Sequence, residues 1–329
     1  MPIQLKVEYS PLYELIASLT LYLDKKAPRV TDLGKPWVGK VNACIQPELK
    51  QTLSQLMEQT EDAFQDKQIF RYLLMRWAVE SPEKGSVDSF LRWLQAQQAE
   101  ELYERIDWGD LGPLPLDECK SMQEHVLTVV EQWNQQYFQD LDPAILQYLR
   151  ADAEKKRRLA EKLDPVEVVE QATKGIRVQP IKSTWNLVLI PQYHYAPVNI
   201  LTEYRNHCIW QYAVELPPEK PEDPPRSLVR LSNCLGDANR LRILRYIAEE
   251  PRTFMEIVRY IGLAKSTVNH HLVHLRAAGL VQRDFFVDKR MERHRLREVA
   301  LDQVGGQLRE YLLPDRISST SRRGEGGQQ

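Results

Sequence analysis

Apolar residues recur at helical spacing through most of the first 173 positions. Ser10-Pro11 reads as an N-cap followed by proline at the first helical position, opening a helix to about Leu23. The same period predicts helices near 47–64, 66–80, 86–106, 116–139, 143–163 and 165–173. Pro47, Pro143 and Pro165 stand near three of those starts, where a missing amide costs least. From Ile176 the period shortens. Segments 176–181, 185–190 and 208–214 read as strands, so a run of helices ends in a short sheet. The pattern predicts a fold that is mainly α with small β elements.

Pro217, Pro218, Pro221, Pro224 and Pro225 then interrupt both periods. Five prolines so close together exclude a helix interior or a central strand and suggest a semi-rigid spacer. This divides the chain into a mostly helical domain at 1–216, a linker at 217–226 and a second domain at 227–313. A Ser-, Arg- and Gly-rich tail at 314–329 is expected to be disordered.

In the second domain Phe254, Ile257, Val258 and Ile261 mark one helical face, and Gly262 supplies a tight turn. Ser266 can cap the next helix, whose Val268, Leu272 and Leu275 face inward. Its Thr267, Asn269, His270 and His274 lie off that stripe. Two short helices about a glycine-bearing turn form a helix-turn-helix pattern. The major groove of DNA admits one such helix, with its N-terminal side chains at the base edges. Segments 280–287 and 291–296 alternate as a hairpin whose tip holds Lys289 and Arg290.

Charge sharpens that picture. The formal net charge is −2, yet residues 226–316 carry 17 basic and 11 acidic side chains, against 25 and 34 in residues 1–225. A basic segment on an acidic body points to a polyanion that meets only the C-terminal part. The chemistry of the histidines does not change this. His270, His271 and His274 spell HHxxH, which lacks the glutamate that the zinc-hydrolase HExxH motif needs. His271 is expected to pack inside the domain, with His270 and His274 facing DNA or solvent.

Leu235-Gly236-Asp237-Ala238-Asn239-Arg240-Leu241-Arg242-Ile243-Leu244, then Ser266 to Leu272 and Leu275 to Val281, resemble an ArsR-type winged helix-turn-helix transcriptional regulator. The resemblance covers about 227–313. It implies a recognition helix followed by a wing, a homodimer built from helices near 227–235 and 298–312, and a repressor on a two-fold-related operator in double-stranded DNA. Gly305-Gly306 weaken the last helix, or let it approach a partner subunit closely. Groove contacts are assigned to Ser266, Thr267, Asn269 and His270, and phosphate or wing contacts to Lys265, Arg276, Lys289, Arg290 and Arg293.

Many members of that family sense metals, through cysteines before the recognition helix or ligands in the last helix. Here 251–256 holds neither Cys nor His, and the last helix offers only Asp302 and Glu310. No metal and no cofactor are therefore expected. The effector role falls to residues 1–216, as the site of a small organic molecule or a protein. An aromatic-dense stretch, from Trp185 to Tyr212, is either the wall of a ligand pocket or the packing of the sheet. The alternatives are that 1–216 is an oligomerisation or interaction module, or that the protein responds to metal after all. The start of the chain has no signal-like block and no apolar run spans a membrane. Four scattered cysteines read as reduced thiols. The expectation is a cytoplasmic binding protein and not an enzyme.

Overall fold

The computed structural model describes residues 3–24, 27–58, 63–106, 115–179, 186–204, 207–286 and 291–313. The chain opens with β1 (Gln4–Val7) and the helices α1 (Pro11–Leu23), α2 (Gly34–Cys44), α3 (Pro47–Glu58), α4 (Ala63–Glu80), α5 (Val87–Ala96), α6 (Ala99–Arg105), α7 (Leu116–Gln136), α8 (Pro143–Ala160) and α9 (Pro165–Thr173). Four strands follow: β2 (Ile176–Val178), β3 (Asn186–Gln192), β4 (Ile200–Tyr204) and β5 (His207–Ala213). Next come α10 (Arg226–Leu235), α11 (Ala238–Glu249), α12 (Phe254–Ile261) and α13 (Lys265–Ala277). The hairpin β6 (Val281–Phe286) and β7 (Met291–Leu296) precedes α14 (Glu298–Leu312). The fold is mainly α with two small sheets. Among the described residues no helix is long and apolar enough to cross a membrane.

Two compact units share these elements: residues 1–165 with 182–214, and residues 166–181 with 215–329. The first unit holds a sheet in the order β1-β3-β5-β4, with β1, β3 and β5 parallel and β4 antiparallel to β5. Alternation sends Val188, Ile190 and Ile209 into a core shared with α1. Leu187, Leu189, Cys208 and Trp210 turn to the opposite face, where Tyr212 donates its hydroxyl to Asp152 of α8 at 2.8 Å. Helices cover both faces, which is why β3 reads as a continuous apolar run.

α1 sits deep in this unit and is buried nearly all round. Its start follows the sequence reading, with the Ser10 hydroxyl accepting from the Leu12 amide at 3.1 Å. One residue breaks its apolar character. The fully buried Glu14 accepts from the backbone amides of Tyr193 and His194, each at 3.0 Å, and from Nδ1 of His194. With that nitrogen protonated, Nε2 accepts from the Tyr137 hydroxyl at 2.7 Å, which itself accepts from Nε1 of Trp37 at 2.7 Å. Burial pushes the Tyr137 phenol well above its ordinary range. This oriented chain of donors ties α1, α2 and the end of α7 to the turn after β3.

The strand at 176–178 departs from expectation. It does not join the sheet of β3 and β5 but pairs in parallel with β6, giving a three-stranded sheet in the order β2-β6-β7. The turn before it requires glycine. Gly175 has φ +128°, and a Cβ there would come within 2.9 Å of the Val281 carbonyl. Glu215 anchors the same region by pairing with Lys174 and Arg230. Burial raises its pKa, but the two cations outweigh burial and hold it below the usual carboxylate range.

Other elements also differ from the periodicity. The helix expected over 86–106 is two, because Gln97 and Gln98 are extended between α5 and α6. α2, β1 and β4 were not anticipated. The proline-rich segment has contacts of its own within the second unit. Pro218, Pro221 and Pro225 line a surface cleft with Gln307 and Tyr311 of α14, and the Tyr311 hydroxyl donates to the Glu222 carbonyl at 2.8 Å. The 314–329 tail lies outside the described residues.

Candidate nucleic-acid interface

α12 begins with a reciprocal cap between Thr253 and Glu256 and ends at Gly262, whose φ of +74° turns the chain into α13. The apolar residues then decide how α13 lies. Val268, Leu272 and Leu275 are at most 1% exposed and pack with Ile243, Ile247, Ile257 and Ile261. This fixes the helix with its other side outward. Lys265, Ser266, Thr267, Asn269 and His270 are all exposed on its first turn and a half. They form one polar ridge.

Ser266 does not cap this helix. Ala264 occupies the cap position and no side chain closes the N-terminus, because the extended residue that precedes the helix falls two positions earlier. The first-turn amides therefore keep the partial positive character that favours an anion. His271 is buried as expected, and its pKa is lowered by burial against the opposing charge of Asp237. His270 and His274 stand one turn apart with their Nε2 atoms 3.1 Å from each other, within hydrogen-bond distance. Burial lowers the pKa of His274, as do Arg240 and the neighbouring imidazoles.

The wing forms as the alternation predicts, with Val281 opposite Leu296 and Phe286 opposite Met291. Its tip, with Lys289 and Arg290, lies outside the described residues. Arg293 is exposed. Arg295 is committed elsewhere, donating twice to the buried Asp284 at 2.8 and 3.1 Å, while Gln179 beyond β2 donates to the same carboxylate at 3.0 Å. Arg283 pairs with Glu292 at 3.0 Å. Arg276 is half-buried, and burial together with Arg283 pushes its pKa down to about 10. It stands apart from the exposed ridge, at the base of the wing.

Arg259, which the sequence reading did not single out, is exposed in the last turn of α12 one helix before the ridge. It is a cation off the apolar stripe of the first helix of the helix-turn-helix. Among the described residues no three His, Cys, Asp or Glu side chains gather as a metal-ligand group.

Residues 237–283 match the family described as "Bacterial regulatory protein, arsR family". Over 96 residues the chain is 30% identical to the "HTH-type transcriptional regulator KmtR" of Mycobacterium tuberculosis (strain ATCC 25618 / H37Rv), an alignment covering 28% of this chain and 74% of that protein. No solved structure matches. The exposed ridge on a buried-backed α13, the adjoining wing and these two similarities agree, and the chain belongs to the ArsR family of DNA-binding transcriptional regulators.

Proposed function

We propose that the protein is a dimeric repressor that binds a two-fold-related operator and is released by a non-metal effector held by its first unit. The polar ridge of α13 carries this reading. Ser266, Thr267, Asn269 and His270 meet base edges, where short donors and acceptors let the helix approach closely. Lys265, Arg259, Arg293, Lys289 and Arg290 meet phosphate, and Arg276 supports the wing from below. The mechanism is binding, with no bond made or broken.

Dimerisation is supported by α10 and α14. Leu301, Leu308 and Leu312 recur on one face of α14 and are 38–64% exposed, with Gly305 between them and open space where its Cβ would stand. Val229 of α10 is exposed as well. Two copies joined there would set half-sites about one helical turn, roughly 34–36 Å, apart. Leu308→Glu should give monomers in sedimentation and abolish operator binding.

Selection of bound duplexes from a random pool supplies the operator for the decisive measurement. Asn269→Ala should cost about 1–3 kcal/mol on that operator and little on random DNA. Lys265→Ala should weaken both alike and flatten the salt dependence by about one unit of slope. Equal loss on both duplexes for Asn269→Ala would refute the groove contact.

A further inference from the structure

The first unit holds a cavity of about 350 Å³ between α1, α4 and the β4 margin of the sheet. Ile16 of α1, Met75 of α4 and Ile200 of β4 supply apolar wall, as expected of a sheet face turned toward a core. Thr20, Tyr72 and Thr202 line it as well, and two further polar residues stand out. Gln211 lies on β5 beside Ile200, on the face that also carries the fully buried Ile209. It is 3% exposed, and its Nε2 donor has no acceptor among the described residues. Arg71 of α4 lines the same cavity; a carboxylate oxygen of Asp24 stands 3.7 Å from it, and it donates to the Tyr195 hydroxyl at 3.3 Å.

A buried amide donor without an acceptor is rare in a folded core and calls for an explanation. Here it points into a space that also receives a guanidinium, the side chain best suited to a planar carboxylate. Both polar groups call for acceptor oxygens, while Ile16, Met75 and Ile200 offer apolar surface and Thr20, Tyr72 and Thr202 add hydroxyls to the wall. Glu203 lines the cavity by its place on β4, but alternation turns its side chain to the other face. There, together with burial, its charge raises the Cys208 thiol.

We propose that this cavity binds a small organic monocarboxylate, its carboxylate held by Gln211 and Arg71 and its compact apolar body against Ile16, Met75 and Ile200. At about 30 Å³ per heavy atom, as for liquid water, the space suits on the order of a dozen non-hydrogen atoms. The proposal rests on the effector reading for its regulatory meaning, though the binding site stands on its own geometry.

Phenylacetate, octanoate and benzoate serve as probes on the full chain, with phenylacetamide and phenethylamine as controls. All seven tryptophans lie at or before residue 210, within the first unit, so tryptophan fluorescence reports its melting. At one hundred times its dissociation constant a binding acid should raise that melting temperature by about 5–10 °C. The amide should raise it less and the amine not at all. Gln211→Leu removes the stranded donor at similar volume, so it should melt no lower than the parent without probe and bind the acid at least tenfold more weakly. Arg71→Met should weaken binding by at least as much; if it does not fold, Thr202→Val on the same wall replaces it with a smaller expected loss. No stabilisation by any of the three acids, an equal effect of phenethylamine, or full affinity in Gln211→Leu overturns the site. Stabilisation by an acid that leaves operator affinity unchanged keeps the site and overturns the effector reading instead.

Discussion

Both units enclose a histidine, and they do so in opposite ways. In the first, His194 is fully buried and engaged at both ring nitrogens, by Glu14 and by Tyr137. In the second, His294 is 3% exposed and its Nδ1 has no partner among the described residues. Burial, with Arg276 and Arg283 nearby, drives its pKa down to about 3. The first imidazole fastens elements far apart in the chain. The second is a neutral filler on the inner face of the wing, tolerated because nothing there favours its charge. Equal burial thus does not mean equal role; the neighbouring groups decide.

Removing the carboxylate should have the largest effect. Glu14→Leu leaves His194 Nδ1–H and two amides without an acceptor, and should destabilise the first unit by about 3–5 kcal/mol in tryptophan-monitored urea unfolding. A loss under about 1 kcal/mol would mean that the chain of donors is incidental.

Acid probes the other histidine. Between pH 6.5 and about 3 the unfolded chain holds a proton on His294 that the folded chain refuses, so stability is complete above pH 6.5 and is lost as pH falls. From pH 7.5 to 5 that amounts to about 2 kcal/mol. His271 and His274 are lowered too and act in the same direction. Amide exchange at Leu272 and Leu275, which pack in the second unit's core, reads the effect. His294→Leu should remove most of the slope; an unchanged slope would assign it to other groups.

A smaller change sharpens the first half. Trp37→Phe removes only the last donor of the chain, and should cost about 1 kcal/mol. It should leave acid sensitivity in the second unit untouched.

How much of this was legible depended on distance along the chain. The α12–α13 turn, the apolar stripe of α13 and the β6–β7 hairpin are local patterns, and they stand where periodicity put them. α2 was missed because only Trp37 and Val41 of its eleven residues are buried, leaving almost no stripe to read. β1 is a four-residue margin strand with a lysine in it. The partner of β2 was beyond local reading altogether: three residues carry no hint of a strand about a hundred positions later. Glu14 and His194 are likewise 180 positions apart, yet one trace existed. A carboxylate amid PLYELIASLTLYL is an anomaly that asks for a buried partner.

The pairing of β2 with β6 has a consequence for synthesis. A ribosome adding about 5–20 residues each second completes β2 roughly 5–20 s before β6 emerges. In that interval the last strand of the first unit, β5, has already left the tunnel's reach, so that unit can close while β2 is still an unpaired three-residue edge. The wing is then finished by a segment that has waited for it, and a ribosome that stalls near the proline-rich stretch would leave this edge open to the wrong partner.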